Sequence, residues 1–193
     1  MALLDRAKAI LLTPKTEWPV IEAESATTGS LITGYAIPLA AIPAVAGFIG
    51  WSVVGISVLG TSIKLPMSDA LVGALVRFVG GLIGVFVLGL IIDALAPSFG
   101  GQKNPIQALK VAVYSSTASW VAGIFLIIPS LGILSVLGLY SLYLLYLGLP
   151  QLMKAPADKA VGYTAVVVVV GVVLFLIVGA VTNQLVGYGS WVP

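Results

Sequence analysis

The chain has 193 residues, 60% of them hydrophobic and 8% charged, with a formal net charge of +2. Soluble domains run nearer about 45–50% apolar and about 25% charged, so folding alone cannot hide these side chains from water, and the class is an integral membrane protein. The small charge excludes nucleic acid as a partner. The absence of Cys and His removes disulfides, thiol chemistry, the commonest metal ligand and the commonest general base. No catalytic, cofactor-binding or metal-binding residues are assigned.

Residues 1–30 form a segment before the first long apolar run. "MALLDRAKAILLTPK" is interrupted by Asp5, Arg6 and Lys8, unlike the continuous apolar stretch of a secretory signal. Leu3, Leu4, Ala7, Ile10 and Leu11 fall on one helical face and the charges off it. Such a helix can lie in the headgroup plane or pack on the end of a bundle. In "TPKTEWPVIEAESATTGS", Pro19 fits the first turn of a short helix and Trp18 an interfacial anchor.

Five apolar spans follow, near 31–59, 70–95, 106–128, 131–151 and 160–183. Each meets the ~20 residues that cross ~30 Å of hydrocarbon. The first holds Pro38 and Pro43, which predict a kink, with a re-entrant break as the alternative. The turn at Ile128–Gly132 is short enough to make the third and fourth spans an antiparallel hairpin. The fold class is therefore all-α, a five-helix polytopic bundle with an N-terminal amphipathic interfacial helix. A tail at 184–193 places Tyr188 and Trp191 at an interface.

Arg6, Lys8, Lys15, Lys103, Lys154 and Lys159 share the side of the N-terminus, with Lys110 at its edge, whereas the opposite loops carry only Lys64. The positive-inside rule makes the N-terminus cytoplasmic and the C-terminus external.

Few polar groups enter the spans. Arg77 shares a face with Ala70, Gly73, Ala74, Gly81 and Gly84, a small-residue stripe of the kind that marks close helix packing, and is expected to face the bundle interior. Asp93 ends the same span and is expected to meet Lys103 or Lys110. The third span carries Ser116 and Ser119, the fourth Tyr140, Tyr143 and Tyr146. Folding the hairpin about its turn sets Tyr140 beside Ser119 and Tyr143 beside Ser116, near mid-membrane. The expectation is a Tyr–Ser packing seam, with a ligand cavity lined by the same groups as the alternative. Depth argues against an aromatic belt, which sits at headgroup level.

Three function classes follow. A non-enzymatic protein would organise membrane or bind an unidentified membrane or cytoplasmic protein. A small transporter, channel or lipid-translocating protein would use a buried Arg77 and the mid-membrane hydroxyls. An enzyme would need a Ser–Lys pair built on Lys110 or paired aspartates. The bilayer is a partner in each, and the Gly- and Ala-rich faces also suit a homo-oligomer.

"LLTPKTEWPVIEAE", "NPIQALKVAVYSSTASWVAGIF" and "IIPSLGILSVLGLYSLYLLYLGLPQLMK" together resemble the Yip domain family, multi-pass membrane proteins named for interaction with Ypt/Rab GTPases, in its bacterial branch. The resemblance covers nearly the whole chain and is most specific from Asn104 to Lys154. It implies a five-span bundle with a cytoplasmic N-terminus and supplies no catalytic residues. In eukaryotic relatives the family is linked to vesicle budding and prenylated Rab binding through a longer N-terminal region. Here that region is short and lacks their acidic-aromatic motif, so the resemblance does not carry a GTPase partner over to this chain.

Overall fold

A computed structural model describes residues 2–58 and 61–186. Five helical runs are long and apolar enough to cross a membrane: Thr28–Val54, Met67–Phe99, Pro105–Ile127, Pro129–Met153 and Ala157–Val181. They match the five spans read from hydropathy, with ends moved by a few residues. Tyr188 and Trp191 lie outside the described residues.

Two further helices precede the spans, α1 (Leu3–Leu12) and α2 (Pro14–Ala23). Pro14, not Pro19, takes the first turn of α2, where its missing N–H costs nothing. Pro19 lies inside α2 on its exposed side. Thr13 separates the helices, and they form a helical hairpin.

The first span is one helical run with neither a break nor a re-entrant loop. Thr27 caps its start by accepting from the Ser30 N–H at 3.1 Å. A π-helical turn at Ile32–Ala36 precedes Pro38, and a second at Gly50–Val54 ends the run. Such wide turns are single-turn departures from the α-helical ladder, and the first falls where Pro38 removes a donor. The run stops at Gly55, whose φ of 75° is left-handed. Residues 56–63, expected to be partly helical, instead hold two short antiparallel strands, Ile56–Val58 and Thr61–Ile63, with Ile56 paired to Ile63.

The third span is the axis of the bundle. Every residue from Ala108 to Ser115 is buried. The first span lies tight against its far half: a Cβ on Gly123 would sit 2.4 Å from the Pro43 Cβ, and one on Gly50 would sit 2.0 Å from the Leu126 carbonyl oxygen. Ile128 is extended and connects directly to Pro129, and Ser119 of the third span bonds Gly138 and Ser141 of the fourth, as the hairpin reading predicts. The second span packs on the third, where a Cβ at Gly89 would meet the Leu109 backbone at 3.2 Å, and on the fifth, where Gly80 abuts Val178.

The connections 100–104 and 154–156 meet on the side of the bundle that carries α2. The Gln102 N–H donates to the Met153 carbonyl at 2.7 Å and the Gly101 N–H to the Ala96 carbonyl at 2.8 Å. This is called the N-terminal side below.

Candidate functional site

The densest polar cluster lies where α1 and α2 dock against spans three and four. Arg6 is 4% exposed. Its guanidinium pairs with Glu17 and Glu24 and lies 5.9 Å from the centre of the Tyr114 ring. Burial works to lower its pKa, but the hydrogen bond to Glu24 and the charges of Glu17 and Glu24 outweigh it, and the group is held above the ordinary arginine value. The amphipathic reading had placed Arg6 on the outer face of α1. The structure turns it inward because two carboxylates of α2 wait there.

Lys110 is buried as well. Its Nζ donates to the carbonyls of Ile21 at 2.7 Å, Glu24 at 2.5 Å and Glu22 at 3.4 Å. These are carbonyls at the C-terminal end of α2, which have no partner within the helix, and a cation there complements the helix dipole. Gln107 Nε2 adds a bond to the Glu22 carbonyl at 3.0 Å. The Glu22 side chain accepts from Gln151 at 2.5 Å and pairs with Lys154 at the end of the fourth span. The bond from Lys154 holds Glu22 below the usual glutamate range; partial burial opposes this and Gln151 assists.

Between these polar contacts the hairpin is fixed by one aromatic group. Trp18, expected at an interface, is 1% exposed. Its ring covers Gly148 so closely that a Cβ there would fall 2.7 Å from the indole. Trp18 Nε1 has no hydrogen-bond partner, so the indole contributes packing. Ile10 and Ile21 are fully enclosed beside it. Deeper in the bundle, the Tyr35 hydroxyl bonds the Thr117 hydroxyl at 2.9 Å, and the Tyr35 and Tyr114 rings meet edge-on at 4.6 Å.

The seam expected from the fourth span takes a different form. Ser119 meets Ser141, with their hydroxyls 2.8 Å apart, and also donates to the Gly138 carbonyl at 3.1 Å. The depth register was therefore close, but the face was not. Tyr140, Tyr143 and Tyr146 are all exposed, and Tyr140 and Tyr143 lean on one another at 5.4 Å. Ser116 donates to the Ala112 carbonyl of its own helix at 2.8 Å.

Arg77 is not enclosed by the bundle. It is exposed on the second span, and Nη1 passes 3.5 Å from where a Cβ on Gly47 would lie. The small-residue stripe that predicted an interior position is divided. Ala70 and Gly73 are buried, while a Cβ at Gly81 or Gly84 would meet nothing within 4 Å. Asp93 pairs with neither Lys103 nor Lys110. Lys110 is committed to α2, and Asp93 Oδ1 is buried without a hydrogen-bond partner. Its neighbour Tyr163 donates to the Ile92 carbonyl and stacks on Phe99 at 4.8 Å.

Sequence reading missed Arg6, Glu17, Glu22, Glu24, Lys110 and Gln151 as one cluster. The available signal was three glutamates within 17–24, a local acidic density on an otherwise basic side. Chemically, the cluster holds two helices in place. Lys110 is engaged by backbone carbonyls, and Ser115, Ser116 and Thr117 bond carbonyls of their own helix, so none of these three hydroxyls is paired with Lys110. Among the described residues, no group of three or more Asp or Glu could hold a metal ion.

The Yip1 domain model matches residues 8–178. The chain is similar to the inner membrane protein YohC of Escherichia coli K12, with 28% identity over 181 residues, covering 91% of this chain and 93% of that protein. The same figures hold for YohC of Escherichia coli O6:H1. No solved structure matches the chain.

Proposed function

The chain belongs to the Yip1 domain family, and from that premise we propose that it is a non-enzymatic scaffold of the bacterial inner membrane, which organises the membrane or a protein partner from its N-terminal side. The observation that carries this reading is the docked hairpin. Four charged side chains, Arg6, Glu17, Glu24 and Lys110, engage one another or the end of α2, and their work is to fix α1 and α2 against spans three and four. Charges committed in this way to the docking of two helices support a structural role for the cluster. The similarity to a curated inner membrane protein supports the membrane. The excess of lysine and arginine supports a cytoplasmic position for the hairpin.

The partner surface in this reading is the ledge formed by the exposed residues of 102–104 and 156–159, beside the hairpin. The transport reading keeps as its candidates Arg77, exposed on the second span, and Asp93, whose Oδ1 is buried without a hydrogen-bond partner.

The test is site-specific photocrosslinking in native inner membranes. A crosslinker at Lys103 or Asp158 is expected to give a discrete protein adduct, absent when the same group replaces the lipid-facing Val136. Lack of any adduct from the ledge, or substrate flux in proteoliposomes, would overturn the reading.

A further inference from the structure

The exposed large apolar side chains of the spans form a belt around the bundle. In the first span they run from Ile37 to Val54, about 26 Å at 1.5 Å per residue. In the second they run from Met67 to Leu90 and in the fifth from Val161 to Val181, about 35 and 30 Å. In the fourth they run from Leu131 to Tyr146. Its first eleven residues, Pro129–Leu139, are a 3₁₀-helix, so that stretch measures about 27 Å and the whole span about 43 Å. Each belt is close to the ~30 Å of hydrocarbon in a bilayer, and the spans themselves are longer.

On the N-terminal side many apolar side chains are covered by protein. Leu31, Tyr35, Ile92, Leu149, Leu152 and Met153 are buried, several of them by the hairpin. Three exposed large apolar side chains lie before the first belt, all on the hairpin: Leu4, Leu12 and Val20. Leu12 is 78% exposed and Leu4 66%. With Lys8 they make one face of α1, at i, i+4 and i+8, and Lys15 is exposed just past the elbow. Leu11, beside Leu12, lines an open apolar groove with Phe125, Leu137 and Tyr140, and this joins the end of α1 to the belt.

We infer that the N-terminal-side membrane boundary runs near Tyr146, and that the outer face of α1 rests on the bilayer surface there. Leu4 and Leu12 enter the boundary between headgroups and acyl chains. Lys8 and Lys15 extend toward the phosphates, their stems lying along apolar surface. Tyr146 sits at headgroup level, as aromatic residues at an interface do, and Tyr140 lies about 9 Å deeper by helical rise. The start of the third span and the ends of the second and fourth, with the buried ionic cluster, stand above the hydrocarbon. The 3₁₀ stretch adds length on the far side and carries the tyrosines outward.

The cysteine-free chain permits one spin label at a time in the full protein, reconstituted in phosphatidylethanolamine and phosphatidylglycerol vesicles. Depth is read from the ratio of collisions with oxygen and with a nickel chelate. Labels at Leu12→Cys and Tyr146→Cys should both report shallow burial, at least about 8 Å shallower than Val136→Cys by helical rise. A Lys103→Cys label should report water. A Leu12 label as accessible to the chelate as the Lys103 label would overturn the placement of α1. A Tyr146 label as deep as the Val136 label would overturn the boundary.

Discussion

Replacing Lys110 by Met keeps the stem and removes the cation. In the native chain Nζ serves the carbonyls of Ile21 at 2.7 Å and Glu24 at 2.5 Å, with a longer contact to Glu22, and the residue is 2% exposed. A hydrogen bond involving a charged group contributes about 1.5–3 kcal/mol net. A cation at a helix C-terminus adds up to about 2 kcal/mol when partly buried. Relief of the lysine's own desolvation offsets part of this. Loss of about 2–4 kcal/mol of docking free energy follows, which is roughly 30-fold to 1000-fold in the ratio of docked to undocked hairpin. Trypsin cleavage after Arg6 in detergent reports that ratio, because the buried arginine is cut only when α1 leaves the bundle and such cleavage tracks the open population. The rate should rise at least tenfold in Lys110→Met and stay unchanged in Lys103→Met, which alters an exposed lysine of the same side. Cleavage of Lys110→Met within twofold of the native chain would refute the reasoning.

Three other outcomes follow from the same contacts. Gly148→Ala places a methyl group 2.7 Å from the rigid Trp18 ring and should cost about 1–3 kcal/mol by overpacking, seen as a lower thermal midpoint and a changed tryptophan emission. Glu22 has a lowered pKa, so its contribution is complete above the ordinary glutamate range and is lost as pH falls through the lowered value. Docking should therefore persist through pH 4.5 and weaken below it, and Glu22→Gln should flatten that part of the profile in the same cleavage assay. Tyr35→Phe removes the bond to Thr117; Thr117 keeps its bond to the Tyr114 carbonyl, so the loss should be about 1 kcal/mol, measured by thermal unfolding in detergent.

The five spans were legible because about 20 consecutive apolar residues leave a signal that tertiary structure does not alter. The helical hairpin was half legible: the apolar face of α1 could be read, but the inward turn of Arg6 could not. That turn depends on Glu17 and Glu24, and the docking of α2 depends on Lys110, far along the chain. Periodicity sees only neighbours on one helix. The tyrosine face failed for a local reason. A 3₁₀-helix advances about 120° per residue and an α-helix 100°. Over the eleven residues from Pro129 to Leu139 the difference accumulates to about 220°. That rotation, invisible to hydropathy, brings Ser141 to Ser119 and turns Tyr140, Tyr143 and Tyr146 outward.

The central claim is that α2 lies along the fourth span, held by the Glu22–Gln151 contact at 2.5 Å. The direct measurement is thiol crosslinking of a Glu22→Cys, Gln151→Cys double variant in native membranes with a short bifunctional reagent. The Ser119→Cys, Ser141→Cys pair, whose native hydroxyls are 2.8 Å apart, serves as the reference within the bundle. The docked hairpin predicts intramolecular crosslinking of both pairs to a similar extent. Efficient crosslinking of 119 to 141 with none between 22 and 151 would contradict it.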